Sequence, residues 1–130
     1  MCIRDRFSRS YIYTTAPPPA VAVATSASLE LVKSEHWRRD KLKQLIARFR
    51  ACAKQIGLRL MDSNTPIQPV LMASDEQLLK ANKKLLESGF MVGAIRPPTV
   101  PEGTGRLRIT LSASHTDQQV DALLDALDKC

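Results

Sequence analysis

The segment from Gly93 to Thr116 constrains the fold more than any other part of the chain, because GAIRPPTVPEGTGRLRITLSASHT combines a stiff loop, a strand and a helix start. Pro97, Pro98 and Pro101 fix φ along the loop, and two glycines after them permit sharp turns. The RLRITLS run then alternates between polar and apolar residues, which is typical of a strand with one buried face. The segment therefore predicts a rigid loop that leads into a half-buried strand and then a helix.

The alternation in this strand places Arg106 and Arg108 on the face opposite its three apolar residues, Leu107, Ile109 and Leu111. A guanidinium group presents a planar fork of donors that suits a carboxylate, and a hydrogen bond to a charged group contributes roughly 1.5–3 kcal/mol. A fixed loop beside such a strand therefore favours a carboxylate-binding site. The alternative is an amphipathic edge strand whose arginines contact only water, and the residues alone leave both open.

The rest of the chain alternates between helix and strand signals. Residues 11–15 are predicted to be extended, residues 20–33 and 37–55 helical, and residues 67–72 a strand. Ser74 and Thr116 each precede a glutamine by three residues, a capping-box pattern that predicts helix starts, and Gly89 predicts the end of the first of these helices. With strands near 90–95 and 106–112, the predicted fold class is α/β: an α+β small domain whose three-stranded sheet has helices on one face, preceded by two helices.

Charge is unevenly distributed along the chain. The net charge is +6, and most of the excess lies between Lys33 and Lys54. The same segment carries an apolar stripe at helical spacing: Leu42, Leu45, Ile46, Phe49, Ala53 and Ile56. A basic, solvated helix face behind a core-facing stripe explains this pattern, and no helix-turn-helix, RNP or zinc-finger motif accompanies it. We therefore expect no nucleic-acid partner.

Length and composition fit one compact module, with 130 residues of which 44% are hydrophobic. No stretch approaches the roughly 20 apolar residues that a membrane span needs, so no membrane association is expected. Cys2, Cys52 and Cys130 are far apart and form no CxxC pair, which argues against a disulfide framework or a metal site. This cysteine usage suits a reducing cytoplasm.

The sequence IRPPTVPEGTGRLRITLSASHT resembles the carboxy-terminal signature of the α-oxoamine synthases, pyridoxal-phosphate enzymes of fold type I. The resemblance extends through FSRSYIYTTAPPPAVAVATSASLELV, LIARFR and MDSNTPIQPVL, and so covers Phe7 to Leu127. The IRPPTVP stretch is most similar to the biotin-pathway branch. That branch condenses L-alanine with a pimeloyl thioester, on coenzyme A or acyl carrier protein, and releases CO₂ to give 8-amino-7-oxononanoate. The resemblance also implies a homodimer.

The resemblance further implies a longer protein. Family members hold pyridoxal 5'-phosphate through a lysine upstream of the stretch that resembles Phe7, and no lysine here has the matching Ser/Thr-rich, Gly-flanked context. The chain is therefore interpreted as a carboxy-terminal fragment, inactive alone. Residues 1–6 fit neither the family nor a signal peptide and are interpreted as a foreign start, with a short natural leader as the alternative. Residues 7–57 are assigned to the end of the large domain and interdomain helices, and residues 58–130 to the small carboxy-terminal domain.

Four residues match functional positions of the family, and Arg96 is a further candidate that the family pattern does not assign. The resemblance implies that Thr99 contacts substrate, that Arg108 binds the amino-acid carboxylate, and that Thr14 or Thr15 reaches the cofactor phosphate of the neighbouring subunit. Arg96 is a candidate for the acyl-chain carboxylate or the thioester phosphates. Structural alternatives stay open for each: a turn cap for the loop threonine, ion pairs for the arginines and helix entry for the threonine pair.

Two other functions remain as alternatives. One is a sister α-oxoamine synthase of the glycine C-acetyltransferase or 5-aminolevulinate synthase type, against which the IRPPTVP stretch counts. The other is a non-catalytic, free-standing α/β binding module that descends from this domain. His115, which precedes the last helix, is interpreted as a local capping partner rather than an acid or base.

Overall fold

The computed structural model describes residues 3, 7–12 and 15–130. Contacts divide the chain into two units, residues 1–36 and 37–130. The first unit contains helices α1 (Arg9–Ile12) and α2 (Pro19–Ser34). The extended segment predicted from residue 11 is therefore wrong at its start, because the Ile12 N–H donates to the Ser8 carbonyl at 2.9 Å and closes a helical turn. Residues 13 and 14 of that prediction lie outside the described residues.

Helix α2 confirms the helix predicted over residues 20–33. It begins with Pro19, whose missing N–H costs nothing in the first turn of a helix. None of its residues is buried against the part of the chain that the structure describes. Its exposed large apolar side chains are Val21, Val23, Leu29, Leu31 and Val32.

The second unit contains the sheet and four helices. Its elements are α3 (His36–Gln55), which starts at the unit boundary, β1 (Ile67–Leu71), α4 (Asp75–Glu87), β2 (Gly93–Ile95), β3 (Arg106–Thr110) and α5 (Asp117–Asp128). The strand order is β1-β3-β2, and both pairs are antiparallel. The predicted class, a three-stranded sheet with helices, is confirmed, and the last strand of the sequence lies in the middle of the sheet.

One face of the sheet and the apolar stripes of α3, α4 and α5 form the core. Val70 pairs with Leu107 across β1 and β3, and Phe49 and Leu78 are fully buried against them. The one buried polar side chain among the described residues is Gln68. Its Oε1 accepts a hydrogen bond from Arg50 Nη1 at 2.9 Å, and its Nε2 donates to the carbonyls of Ser63 and Thr65. These bonds offset the cost of burying an amide.

Two ion pairs join α3 to α5. Arg48 donates through Nε and Nη2 to the two carboxylate oxygens of Asp121, at 2.7 and 2.6 Å, and Lys41 Nζ lies 2.6 Å from Asp117 Oδ1. The basic face predicted on α3 is thus partly neutralised by the acidic face of α5. Residues 37–57, assigned above to the preceding domain, therefore contribute core and ion pairs to the sheet unit. The boundary near residue 57 stays a prediction about the longer protein.

Helix α4 ends where Gly89 was expected to end it. The φ of Gly89 is +87°, a left-handed value, and the Phe90 N–H donates back to the Leu85 carbonyl at 2.8 Å. Asn82 Nδ2 donates to the Val92 carbonyl at 2.6 Å. Because these backbone groups bond to α4 instead of β3, strand β2 begins at Gly93 and is shorter than the predicted 90–95.

Within the described residues no helix is long and apolar enough to cross a membrane. The same residues contain no group of three or more His, Cys, Asp or Glu side chains that could hold a metal ion.

Candidate functional site

The candidate site lies on the face of the sheet opposite the core. Antiparallel pairing places Arg106 beside Leu71 and Ile95, and Arg108 beside Pro69 and Gly93. Paired residues point to the same face, so the two arginines share this face with small or apolar neighbours. The pattern predicted from the alternation is confirmed, because Leu107 and Ile109 are buried on the other face.

Arg108 stands exposed at the centre of this face. Its guanidinium makes no hydrogen bond or ion pair with any residue that the structure describes, so the structural ion pair considered above is not found there. A Cβ added at Gly93 would lie 3.6 Å from Arg108 Cβ. Because Gly93 has no side chain, the surface beside the aliphatic part of Arg108 stays uncovered. An exposed guanidinium group on an open, partly apolar sheet surface is suited to binding a carboxylate.

The proline loop connects β2 to β3 through two turns. The Thr99 N–H donates to the Arg96 carbonyl at 3.1 Å, and a cis peptide bond joins Pro97 to Pro98 between them. Further on, the Thr104 N–H donates to the Pro101 carbonyl at 3.2 Å. The Thr99 side chain is exposed and makes no hydrogen bond with any described residue, so its hydroxyl does not cap the turn.

Gly105 fixes the base of this loop. It is buried, and its carbonyl accepts a hydrogen bond from the Met72 N–H at 3.0 Å. A Cβ at this position would lie 2.8 Å from Asp75 Oδ1 and 3.4 Å from Leu78 Cδ2, so glycine lets the chain pass close to α4 without displacing these side chains. A cavity of about 310 Å³ opens beside it, lined among others by Ser74, Pro97 and Glu102.

The structure brings three of the five predicted residues into one unit. Arg96 directly follows β2, Thr99 lies three residues further along the loop, and Arg108 pairs with the first residue of β2. Since strands rise about 3.4 Å per residue, the end of β2 lies roughly 7 Å along the sheet from Arg108. Arg96 is exposed and has no ion pair with a described residue. Thr15 is exposed in the first unit, and Thr14 lies outside the described residues.

Two other features complete the description of the site. His115 acts locally, as expected, because its Nδ1 accepts a hydrogen bond from the Ser112 N–H at 3.1 Å. Sequence reasoning missed Pro69 and Gly93 as the neighbours of Arg108. Alternation identifies the face on which a residue lies but does not identify the adjacent strand, and a glycine at the start of a short strand is the only signal that could have suggested close approach.

Comparison with known proteins identifies the family. The family model of aminotransferase class I and II matches residues 3–127, a range that begins within the six residues set apart above. The chain belongs to this family.

Members named 8-amino-7-oxononanoate synthase are similar to this aminotransferase-family chain. The protein of that name from Stutzerimonas stutzeri (strain A1501) is 61% identical over 125 residues, which cover 96% of this chain and 32% of the relative. A solved structure of that name from Francisella tularensis is 28% identical with a TM-score of 0.81, covering 96% of this chain and 36% of the other. The chain therefore spans about a third of the length of the curated relatives it matches.

A serine palmitoyltransferase variant from S. paucimobilis, solved with PLP and myriocin bound, is also similar, with 29% identity and a TM-score of 0.83 over 93% of this chain and 31% of that one. Together with the family match, this structure implies pyridoxal phosphate as the cofactor of the family to which the chain belongs.

The cavity beside the proline loop does not by itself fit this cofactor. Pyridoxal phosphate needs a lysine amine for its aldehyde and donors for its phosphate. No lysine lines the cavity beside the proline loop. Five lysines instead contact carboxylates or a backbone carbonyl on helix surfaces: Lys33, Lys41, Lys43, Lys83 and Lys84. The arrangement provides a free guanidinium and a rigid hydroxyl-bearing loop, which can bind and orient a substrate.

Proposed function

We propose that this chain is the carboxy-terminal third of a pyridoxal-phosphate-dependent acyltransferase. The whole enzyme condenses L-alanine with a pimeloyl thioester, releases CO₂ and forms 8-amino-7-oxononanoate. The observation that carries the proposal is Arg108, which has no ion pair with a described residue and lies between Pro69 and Gly93 on the open sheet face. The 61% identity to a curated 8-amino-7-oxononanoate synthase supports the choice of reaction.

Arg108 binds the carboxylate of L-alanine in this proposal. Two parallel hydrogen bonds from a planar fork fix the orientation of a carboxylate as well as its position. A fixed carboxylate limits rotation about the bond to Cα, and orientation of this kind lowers the barrier of a reaction. The cofactor, when bound, supplies the electron sink for negative charge that develops at Cα.

The proline loop supplies the remaining contacts to substrate. The Thr99 hydroxyl is free for a substrate hydrogen bond, and the two turns around it are already formed in the chain. Binding to a preformed loop avoids the entropy cost of ordering it. Arg96 binds an anionic group of the acyl substrate, either the distal carboxylate of the pimeloyl chain or the phosphates of its carrier.

The remainder of the proposal concerns the rest of the enzyme. The lysine that holds the cofactor lies outside this chain, and Thr14 or Thr15 contacts the cofactor phosphate of the neighbouring subunit in a homodimer. Residues 7–57 belong with the large domain and its connecting helices, and residues 58–130 form the small domain. The well-separated cysteines suit a cytoplasmic enzyme.

A chimaeric enzyme tests this function. Residues 7–130 replace the corresponding third of the S. stutzeri relative, and the purified chimaera is assayed for 8-amino-7-oxononanoate from L-alanine and pimeloyl-coenzyme A. We expect product formation with L-alanine preferred over glycine and L-serine. In the same background, Arg108→Lys keeps the charge but loses the fork, so it should raise the KM for L-alanine at least tenfold.

The controls separate the alternatives. A chimaera that is folded and holds the cofactor, but uses glycine or serine in place of alanine, would indicate a sister synthase. Unchanged saturation by alanine in Arg108→Lys would remove Arg108 from the site. A clear rise in the melting temperature of the isolated 130-residue chain with L-alanine would instead favour a free-standing binding module, because such a module needs no other part of the enzyme.

A further inference from the structure

Arg106 differs from Arg108 although both lie on the same face of β3. The Arg106 side chain is half-buried, and each of its nitrogens has a partner. Nε donates to the Thr104 carbonyl at 3.1 Å, and Nη2 lies 3.5 Å from Thr104 Oγ1. Nη1 lies 3.0 Å from Met61 Sδ. Among the described residues, one arginine of the RLR sequence therefore has partners and the other has none.

Thr104 connects Arg106 to the proline loop through hydrogen bonds of its own. Its Oγ1 donates to the Pro101 carbonyl at 2.6 Å, and its N–H donates to the same carbonyl at 3.2 Å. Because a hydroxyl can donate once and accept as well, Oγ1 can bond to Pro101 and Arg106 together. The contacts form a chain from Arg106 through Thr104 to Pro101, two residues beyond Thr99.

The other side of Arg106 is held by the sheet. Met61 belongs to a segment that runs along the outer edge of β1, where its N–H donates to the Pro69 carbonyl at 3.1 Å. Arg106 pairs with Leu71 of β1, so the contact between its Nη1 and Met61 Sδ spans β1. The guanidinium thus links Thr104, at the end of the loop, to the segment at Met61, which β1 and β3 separate from β2.

We propose that Arg106 is a positioning residue, which holds the loop of residues 97–103, and with it Thr99, through Thr104. Arg108, two residues later, stays free for carboxylate. The inference rests on the proposed function only for the substrate contact of Thr99. The mechanical part, a loop held by Arg106, stands on the contacts of this chain alone.

Amide hydrogen exchange of the 130-residue chain tests the mechanical part. Loss of a hydrogen bond from a charged donor should raise the exchange rate of the Thr104 amide about tenfold in Arg106→Met, with a smaller rise at Thr99. The amides of Leu107 and Ile109 in β3 should exchange as before. Arg108→Met is the matched control, because it removes an equal charge from the same face without touching the loop, and it should leave both loop amides unchanged.

Two outcomes would overturn the proposal. Unchanged exchange at Thr104 in Arg106→Met would show that the loop does not depend on Arg106, and an equal rise in the loop and in β3 would show a general loss of stability. If Arg106→Met does not fold, Thr104→Val and Thr104→Ser replace it. Valine removes the hydroxyl and should loosen the loop, whereas serine restores the hydroxyl and should restore protection. Equal exchange in these two variants would show that the Thr104 hydroxyl does not connect Arg106 to the loop.

A double-mutant cycle in the chimaeric enzyme tests whether Arg106 acts through Thr99. If it does, Arg106→Met should raise the KM of the wild-type chimaera severalfold but have little further effect in a Thr99→Ala background. Additive effects would mean that Arg106 does not act through Thr99. A chimaera without activity would count against the proposed function, while the exchange experiment would still decide the role of Arg106.

Discussion

Asp121 is the residue whose ionisation the structure perturbs most clearly among the acidic side chains described. The two hydrogen bonds from Arg48 hold the pKa of the Asp121 carboxyl below its ordinary value, and the charge of Arg48 acts in the same direction. A carboxyl with a lowered pKa in the folded state stabilises the fold above its unfolded pKa, near 4. That stabilisation is lost as the pH falls through the folded value.

Asp121→Asn should therefore lower the melting temperature at pH 7 and have a smaller effect at pH 3. The comparison is made by thermal unfolding of both proteins across this range. Asp125→Asn, on the same helix but without an ion pair to any described residue, is the control. A constant difference between wild type and Asp121→Asn at every pH would show that the ion pair does not contribute through ionisation.

Gly105 provides a steric prediction. Gly105→Ala places a methyl group 2.8 Å from Asp75 Oδ1 and 3.4 Å from Leu78 Cδ2, so the exposed Asp75 carboxylate must turn aside and Leu78 must shift slightly. The free energy of unfolding should fall by about 1 kcal/mol, measured by denaturant titration. Gly93→Ala is the matched control, because its nearest contact would be an ordinary 3.6 Å. An equal loss in both variants would contradict the steric explanation.

At the scale of single residues, the sequence predicted which side chains face the core but not what surrounds the exposed ones. The alternation of RLRITLS correctly separates Leu107 and Ile109 from Arg108. It does not distinguish the surroundings of Arg106 from those of Arg108, because residues two apart in a strand lie on the same face. Their difference depends on Thr104 and Met61, and the second of these is brought close only by tertiary folding.

The two predicted capping boxes differ in the folded helices. Thr116 and Gln119 form both bonds: Thr116 Oγ1 accepts from the Gln119 N–H, and the Gln119 side chain accepts from the Thr116 N–H at 2.9 Å. At the start of α4 the Ser74 hydroxyl accepts from the Gln77 N–H at 3.2 Å, without the return bond. Both sequences place a glutamine three residues after a hydroxyl-bearing cap, so this pattern alone does not predict which box is completed.

Gln119→Ala should consequently destabilise the chain more than Gln77→Ala. Loss of the return bond should lower the free energy of unfolding by about 0.5–1 kcal/mol, whereas Gln77→Ala should be close to neutral because alanine favours helix and no such bond is lost. Chemical unfolding followed by circular dichroism measures both variants. Equal effects of the two substitutions would show that the completed box adds nothing.

Sequence periodicity predicted which segments form helices and strands. The residues at which these elements begin and end depend on tertiary contacts, which periodicity does not reveal. Helices α2 to α5 appear within one or two residues of their predicted positions. The strand predicted from residue 90 starts at Gly93, because Asn82 and the end of α4 bind the backbone before it. The order β1-β3-β2 was not predicted, since the sequence pattern gives the faces of strands but not their neighbours.

For the molecule as a whole, the core belongs to one of the two units. Every residue of the buried apolar cluster lies between Leu45 and Leu127, and residues 1–36 contribute none of those described. A shortened chain of residues 35–130 should therefore unfold cooperatively, with a melting temperature within a few degrees of the 130-residue chain. Loss of the cooperative transition would show that residues 1–34 are needed for the core.

The same pair of chains tests the exposed apolar surface. Five large apolar side chains of α2 are exposed, and exposed apolar surface favours association. The 130-residue chain should form concentration-dependent oligomers in analytical ultracentrifugation, and residues 35–130 should do so less. Identical association of the two chains would place the associating surface outside α2.

The buried amide of Gln68 has an evolutionary consequence. Its Oε1 accepts a hydrogen bond from Arg50, and its Nε2 closes the turn at residues 63–65. A lineage that replaces position 68 by an aliphatic residue keeps the contacts of Arg50 with the Met61 carbonyl and the Asp62 carboxylate, but it leaves the carbonyls of the turn without their donor. Changes at position 68 should therefore be rare among descendants of this gene.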